Sequence, residues 1–119
     1  MLNYIEFINE KIMTNTFTHE GSDYNLYKLN GLVRKNKIQS FPVKDLVWIF
    51  KYDDPTKDHP ERIGTANINV PILVTKTKDG LVVLDGLHRL AKAVLQDIKE
   101  LKGKLVNKED LEKVKVKNE

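Results

Sequence analysis

Along residues 71–98 the spacing of apolar positions changes once, and that change divides the stretch into elements. Pro71 to Thr75 is a short β-branched run, Leu81 to Leu84 is a second, and Lys78-Asp79-Gly80 lies between them. An Asp-Gly step between two such runs is a strong local signal for a β-hairpin. Beyond it Leu87, Leu90, Ala91, Val94, Leu95 and Ile98 recur at helical spacing and predict a helix with one apolar stripe. His88, Arg89, Lys92 and Gln96 fall off that stripe. The hairpin therefore leads into a helix whose start carries an acid, a glycine, an imidazole and a guanidinium.

The same reading extends to the rest of the chain. Leu2, Ile5, Ile8 and Ile12 predict an N-terminal helix, with Asn3 as cap and Glu6 three residues later. Thr14 to Ser22 is polar and reads as a loop, with His19 and Glu20 as a surface pair within it. Asp23 to Lys35 suits a helix through Leu26, Leu29, Leu32 and Val33, capped by Ser22 or Asp23, although Gly31 costs it about 1 kcal/mol. Ile38 to Val43 predicts a strand with Pro42 near its end or on an edge. Lys44 to Phe50 predicts a short helix with Trp48 as a core anchor. Lys51 to Asn69 is irregular, apart from a short helix through Glu61, Arg62 and Ile63 that starts at Pro60. Glu100 to Val106 predicts a strand interrupted by Gly103. Asn107 then caps a helix from Lys108 to about Val114, and Lys115 to Glu119 are expected to fray.

Composition narrows the classes. The length of 119 residues fits one domain, and 40% hydrophobic with 31% charged residues matches a soluble globular chain. No apolar run approaches the roughly 20 residues needed to span a bilayer, and the N-terminus does not read as a secretory signal. With no cysteine, disulfides, thiolate metal sites and cysteine nucleophiles are excluded. The expected location is the cytoplasm. The net charge of +3 points only weakly to nucleic acid, because the basic residues are nearly all lysine. Arg34, Arg62 and Arg89 are the only arginines, and arginine is the better phosphate fork.

The candidate chemistry lies in two places. At the helix start, unpartnered N–H groups and the helix dipole attract anions. Gly86 leaves room for close approach, and His88 and Arg89 can add donors around a phosphate or carboxylate. The same residues also allow a plainer reading, with Asp85 as an N-cap and Gly86 serving only the bend. The second place is the irregular segment, where Asp53, Asp54, Asp58, His59, Glu61 and Arg62 gather. A loop of that length in a small domain is uncommon unless it has a function. The sequence contains no HExxH pattern, no GxxxxGK[ST] phosphate loop, no GxGxxG fingerprint and no serine in a nucleophile elbow.

The segment Leu84-Asp85-Gly86-Leu87-His88-Arg89-Leu90-Ala91, preceded by Pro71-Ile72-Leu73-Val74, resembles the ParB/sulfiredoxin superfamily. ParB-like members of that superfamily carry a PIxV…DGxHR(L)A core. Ile38-Gln39-Ser40-Phe41-Pro42-Val43-Lys44-Asp45-Leu46 matches their strand and helix start, and His59-Pro60-Glu61-Arg62-Ile63 looks like their D/H-P-E-R helix. The resemblance spans residues 38–106, with 1–37 as an N-terminal helical extension of one domain, 1–119. It implies an α+β fold of the ParB/sulfiredoxin type, a small mixed sheet flanked by helices. It also implies a nucleotide phosphate, from ATP or CTP, held by Gly86, His88 and Arg89 with Leu87 among them. Arg62 and Arg89 would neutralise charge, while Asp85, Asp53 or Asp54 would hold magnesium or act as base, with Asp85 the expected metal ligand. Sulfiredoxins have a cysteine at the place of Leu87, so their reductase chemistry is not expected here.

The leading expectation is nucleotide binding, with phosphoryl transfer or hydrolysis as the reaction the site would support. Two alternatives stay open: a non-catalytic DNA- or protein-binding module on the same scaffold, and a metal-dependent nuclease. No membrane partner is expected.

Overall fold

The computed structural model describes residues 16–19, 21–57 and 60–116. The helix expected over Leu2 to Ile12 lies outside them, as do Glu20, Asp58 and His59. The fold class is α+β, and two compact units divide the chain: Met1–Lys35 with Asn107–Glu119, and Asn36–Val106.

In the first unit β1 (Thr16–His19) and β2 (Ser22–Asn25) form an antiparallel hairpin, turned through Gly21 at φ 80°. A polar loop was expected over Thr14 to Ser22 and a helix from Asp23, whereas Asp23 to Asn25 belong to β2 and the helix begins at Leu26. The hairpin escapes the hydrophobic pattern because the Thr18 hydroxyl donates to the Asp23 carboxylate across it, and of β2 only Tyr24 and Asn25 are buried. Asn25 then caps α1 (Leu26–Leu32), its side chain accepting from the Lys28 N–H at 3.0 Å. Ser22 and Asp23, the expected caps, are occupied in β2. At the other end of the chain Asn107 caps α4 (Lys108–Lys113), accepting from the Asp110 N–H at 2.8 Å. Lys115 to Glu119 were expected to fray, and of these 117–119 lie outside the described residues. Instead the Val116 N–H donates to the Asp23 carbonyl at 2.8 Å, and the Asn25 N–H donates to the Val114 carbonyl at 2.9 Å.

The second unit is built on a mixed four-stranded sheet. Its strands are β3 (Ile38–Pro42), β4 (Ile72–Thr77), β5 (Gly80–Asp85) and β6 (Glu100–Val106), in the order β3-β6-β4-β5. The β3–β6 and β4–β5 pairs are antiparallel and β4–β6 is parallel. A parallel pair needs a crossover, supplied here by β5 and α3 (Leu87–Leu95). Pro42 sits on the edge strand as expected. The Val43 N–H donates to the Lys99 carbonyl at 2.8 Å, so the alternation of the ladder turns residue 42 outward, where a missing donor costs nothing.

Four expectations in this unit are corrected. Gly103 does not interrupt β6. A Cβ there would come within 2.8 Å of the Phe41 ring carbons Cδ2 and Cε2, so the glycine makes room for that ring. The short helix over Lys44 to Phe50 is instead two 3-10 turns, Val43–Asp45 and Val47–Lys51, because Leu46 to Phe50 is an unbroken apolar run with no 3.6-residue period. Trp48 is half-buried rather than a core residue, and its Nε1–H donates to the Leu81 carbonyl at 2.9 Å.

The fourth correction concerns α3. It runs only to Leu95 and is rolled so that Leu90, Ala91 and Ala93 are buried, while Val94 and Leu95 are 47% and 75% exposed. The chain leaves α3 through Asp97 in the left-handed region at φ 55°, with the Ile98 N–H donating to the Ala93 carbonyl at 2.8 Å. That terminator, usually completed by glycine, ends the stripe before its last predicted member. The core of the sheet is Ile72, Leu73, Val74, Val82, Val83 and Leu84, all buried.

Candidate functional site

The start of α3 is where the first group of sequence candidates meets. Asp85 is the last residue of β5 and Gly86 holds the N-cap position, at φ 118° and ψ 23°. Gly86 and not Asp85 is therefore the N-cap residue of α3. Instead the Asp85 carboxylate lies 3.9 Å from the Arg89 Nη2, an ion pair one helical turn apart. The N-cap residue of α3 thus brings no side chain to the first turn, whereas α1 and α4 each spend an asparagine on theirs.

The glycine is required on two grounds. Its φ is one that side-chain-bearing residues rarely adopt. A Cβ would also come within 2.9 Å of the Ile72 Cβ, and 3.5 Å of the Arg89 Nη1. The space beside Gly86 on that side is therefore filled by the core, and close approach by a ligand is left to the N–H side of the turn.

Arg89 is more constrained than the sequence suggested. Its Nη1 donates to the Pro71 carbonyl at 2.8 Å and the Val70 carbonyl at 3.4 Å. The guanidinium thus ties the start of β4 to the start of α3 while its side chain remains 20% exposed. Leu87 and His88 are half-buried.

Arg62 lies in α2 (Glu61–Thr65), which follows Pro60 as expected and packs against α3. The contact is secured by a residue that the sequence left without a role. Lys92 Nζ donates to the Gly64 carbonyl at 2.9 Å and the Ala66 carbonyl at 2.8 Å, closing the C-terminal end of α2. A lysine at that end also meets the negative pole of the helix dipole. The only sequence signal for it was its place off the apolar stripe. Arg62 itself is exposed.

Asp53 and Asp54 follow the second 3-10 turn. Asp53 is exposed, and its N–H donates to the Ile49 carbonyl at 3.0 Å. Asp54 Oδ1 accepts from the Thr56 hydroxyl at 2.6 Å and the Thr56 N–H at 2.9 Å. Those bonds, the hydroxyl's first, hold its carboxyl below the usual carboxylate range. An ionised, hydrogen-bonded carboxylate is a weaker base. It remains a competent oxygen ligand for a cation. No group of three or more His, Asp or Glu side chains able to hold a metal ion occurs among the described residues.

At the far end of α3 the exposed Val94 joins Val43, Val47 and Ile98 in lining a cleft of about 560 Å³, which the periodicity had assigned to the core. Among the described residues no helix is long and apolar enough to cross a membrane. No protein-family model, curated protein or solved structure matches the chain. The functional reading rests on the site itself.

Proposed function

We propose that the second unit binds the phosphate of a nucleotide at the first turn of α3, in the manner its resemblance to ParB-like domains implies. The observation that supports this reading most directly is the start of α3 on Gly86, an N-cap residue with no side chain of its own. The N–H groups at the positive end of a helix dipole suit an anion. His88 and the donors of Arg89 not given to Pro71 and Val70 stand beside them. ATP or CTP is the proposed ligand, and Arg62 would contribute charge from the neighbouring α2. A magnesium ion arriving with the nucleotide needs only one or two carboxylates besides phosphate oxygens. Asp85 is the proposed holder, its charge balanced by Arg89 when the metal is away. Phosphoryl transfer or hydrolysis is the reaction such a site would support, with positioning and charge neutralisation as the protein's main contributions.

The test is thermal denaturation of the full chain with ATP, CTP, GTP and UTP, each with magnesium. A nucleotide at 100 times its dissociation constant adds about 2.7 kcal/mol, on the order of 10 °C for a chain of this size. Arg89→Ala is a poor control, because it also removes the tie to Pro71. His88→Ala, with its own unliganded Tm as baseline, is the informative variant. A shift with one nucleotide that shrinks in His88→Ala supports the site. The absence of a shift with all four rejects it.

A further inference from the structure

A second surface of the same unit has a composition that the nucleotide reading does not use. The Trp48 indole lies against the turn end of the β4–β5 hairpin. Its Nε1–H donates to the Leu81 carbonyl at 2.9 Å, and a Cβ on Gly80 would be 3.7 Å from it. Tyr52 meets this indole edge to face, with ring centroids 6.0 Å apart and planes at 85°. Tyr52 is 77% exposed, so its ring is open to a further planar partner.

Three lysines stand close to the pair in spacing or strand register. Lys51 follows Trp48 by three residues within the 3-10 turn Val47–Lys51, a spacing at which side chains eclipse. Lys76 is the register partner of Leu81, whose carbonyl holds the indole, and Lys78 opens the adjoining turn. All three are exposed. Asp53 and Asp79 lie at the margins and leave the group one positive charge in excess, while the Asp54 carboxylate is turned onto Thr56. From Leu81 to Gly86 the chain runs along β5, roughly 17 Å at strand spacing. This surface is therefore not the start of α3.

We propose that Trp48, Tyr52, Lys51, Lys76 and Lys78 form a platform for single-stranded nucleic acid, the aromatic rings taking bases and the ammonium groups taking backbone phosphates. Bases stack on aromatic side chains without regard to sequence, and a lysine fringe tracks the backbone. Each ammonium meets a phosphate as a point charge, without the bidentate fork an arginine would add. Nothing in the grouping reads the sugar, so DNA and RNA strands are equivalent ligands.

Trp48 is the only tryptophan of the chain, so its emission reports on the platform directly. The full chain is titrated with oligo(dT) and oligo(U) at low salt, with poly-glutamate as an anionic polymer lacking bases. Both oligonucleotides are expected to quench Trp48. Three neutralised phosphates predict a slope of about −2 for log affinity against log salt. Tyr52→Ala, at an exposed position, should weaken binding roughly tenfold, and Tyr52→Phe should preserve it. Changing the three lysines together to alanine should flatten the salt slope. His88→Ala should bind oligo(dT) like the wild type, so the fate of the α3 site is read separately. The proposal is overturned by equal quenching with poly-glutamate, by full affinity in Tyr52→Ala, or by no change in emission with either oligonucleotide.

Discussion

Ile72 occupies the place that a side chain on Gly86 would need. A Cβ built on that glycine would stand 2.9 Å from the Ile72 Cβ, and Ile72 is fully buried. On its other side the Ile72 Cγ1 would stand 3.0 Å from a Cβ on Gly103. One isoleucine thus fits between two glycines, one at the start of α3 and one in β6. The helix and the sheet are brought together at the site by what these two positions lack.

Gly86→Ala should therefore be costly with or without any ligand. The left-handed conformation costs about 1–2 kcal/mol for an L-residue, and overpacking adds about 1–3 kcal/mol. A loss of about 3 kcal/mol corresponds to a fall in Tm on the order of 12 °C. Thermal denaturation followed by circular dichroism checks this. A Tm within a degree or two of the wild type would mean that Ile72 yields freely.

The other glycine makes a paired prediction. Gly103→Ala should destabilise the wild type by about 1–3 kcal/mol, through contact with the Phe41 ring. The same change in a Phe41→Leu background should cost less, with a coupling energy on the order of 1 kcal/mol. A double-mutant cycle in urea measures that coupling. Strictly additive effects would show that Gly103 answers to something other than Phe41.

Lys92→Met keeps most of the apolar stem and removes the ammonium that closes α2. Its two bonds to the Gly64 and Ala66 carbonyls predict a loss of about 1–2 kcal/mol, since the group is only half-buried. The loss should be local. Amide exchange should quicken over residues 61–66 well before β4 and β6 are affected, and a uniform change across the sheet would contradict the assignment.

The low pKa of Asp54 should follow Thr56. Thr56→Ala removes the hydroxyl bond, the larger cause of the shift, so the carboxyl should titrate closer to the ordinary value of 3.8. The sign is that of a depressed carboxylate. Its stabilising contribution is present above the unfolded pKa and lost as pH falls through the folded one. Below about pH 4 the wild type should thus lose part of its advantage over Thr56→Ala. Carboxyl chemical shifts measured against pH decide the matter, and an unchanged titration would assign the shift elsewhere.

Local grammar alone was enough for the elements on which the candidate site depends. Two β-branched runs around Asp79-Gly80 specify the β4–β5 hairpin, because an Asp-Gly turn and period-two strands need only neighbours in sequence. Pro60 before α2, Asn107 before α4, and Pro42 on an edge strand could be read for the same reason. The first hairpin could not, since it buries too few apolar side chains to leave a pattern and is pinned instead by Thr18 and Asp23 and by a C-terminal segment some ninety residues away.

What the sequence by itself determined is the string Asp85-Gly86-Leu87-His88-Arg89 at the junction of a strand and a helix, with the donors that string can offer. Only the tertiary structure decided how those donors are used. Arg89 serves two carbonyls eighteen and nineteen residues upstream, Asp85 pairs with Arg89 while Gly86 takes the N-cap position of α3, and α3 rolls onto Ala93 instead of Val94. Each outcome depends on which distant atoms come within 3–4 Å, and periodicity along the chain carries no information about those distances. Gly86 shows the division in one residue: the sequence placed a glycine at the turn, and Ile72, fourteen positions earlier, explains why a side chain does not fit there.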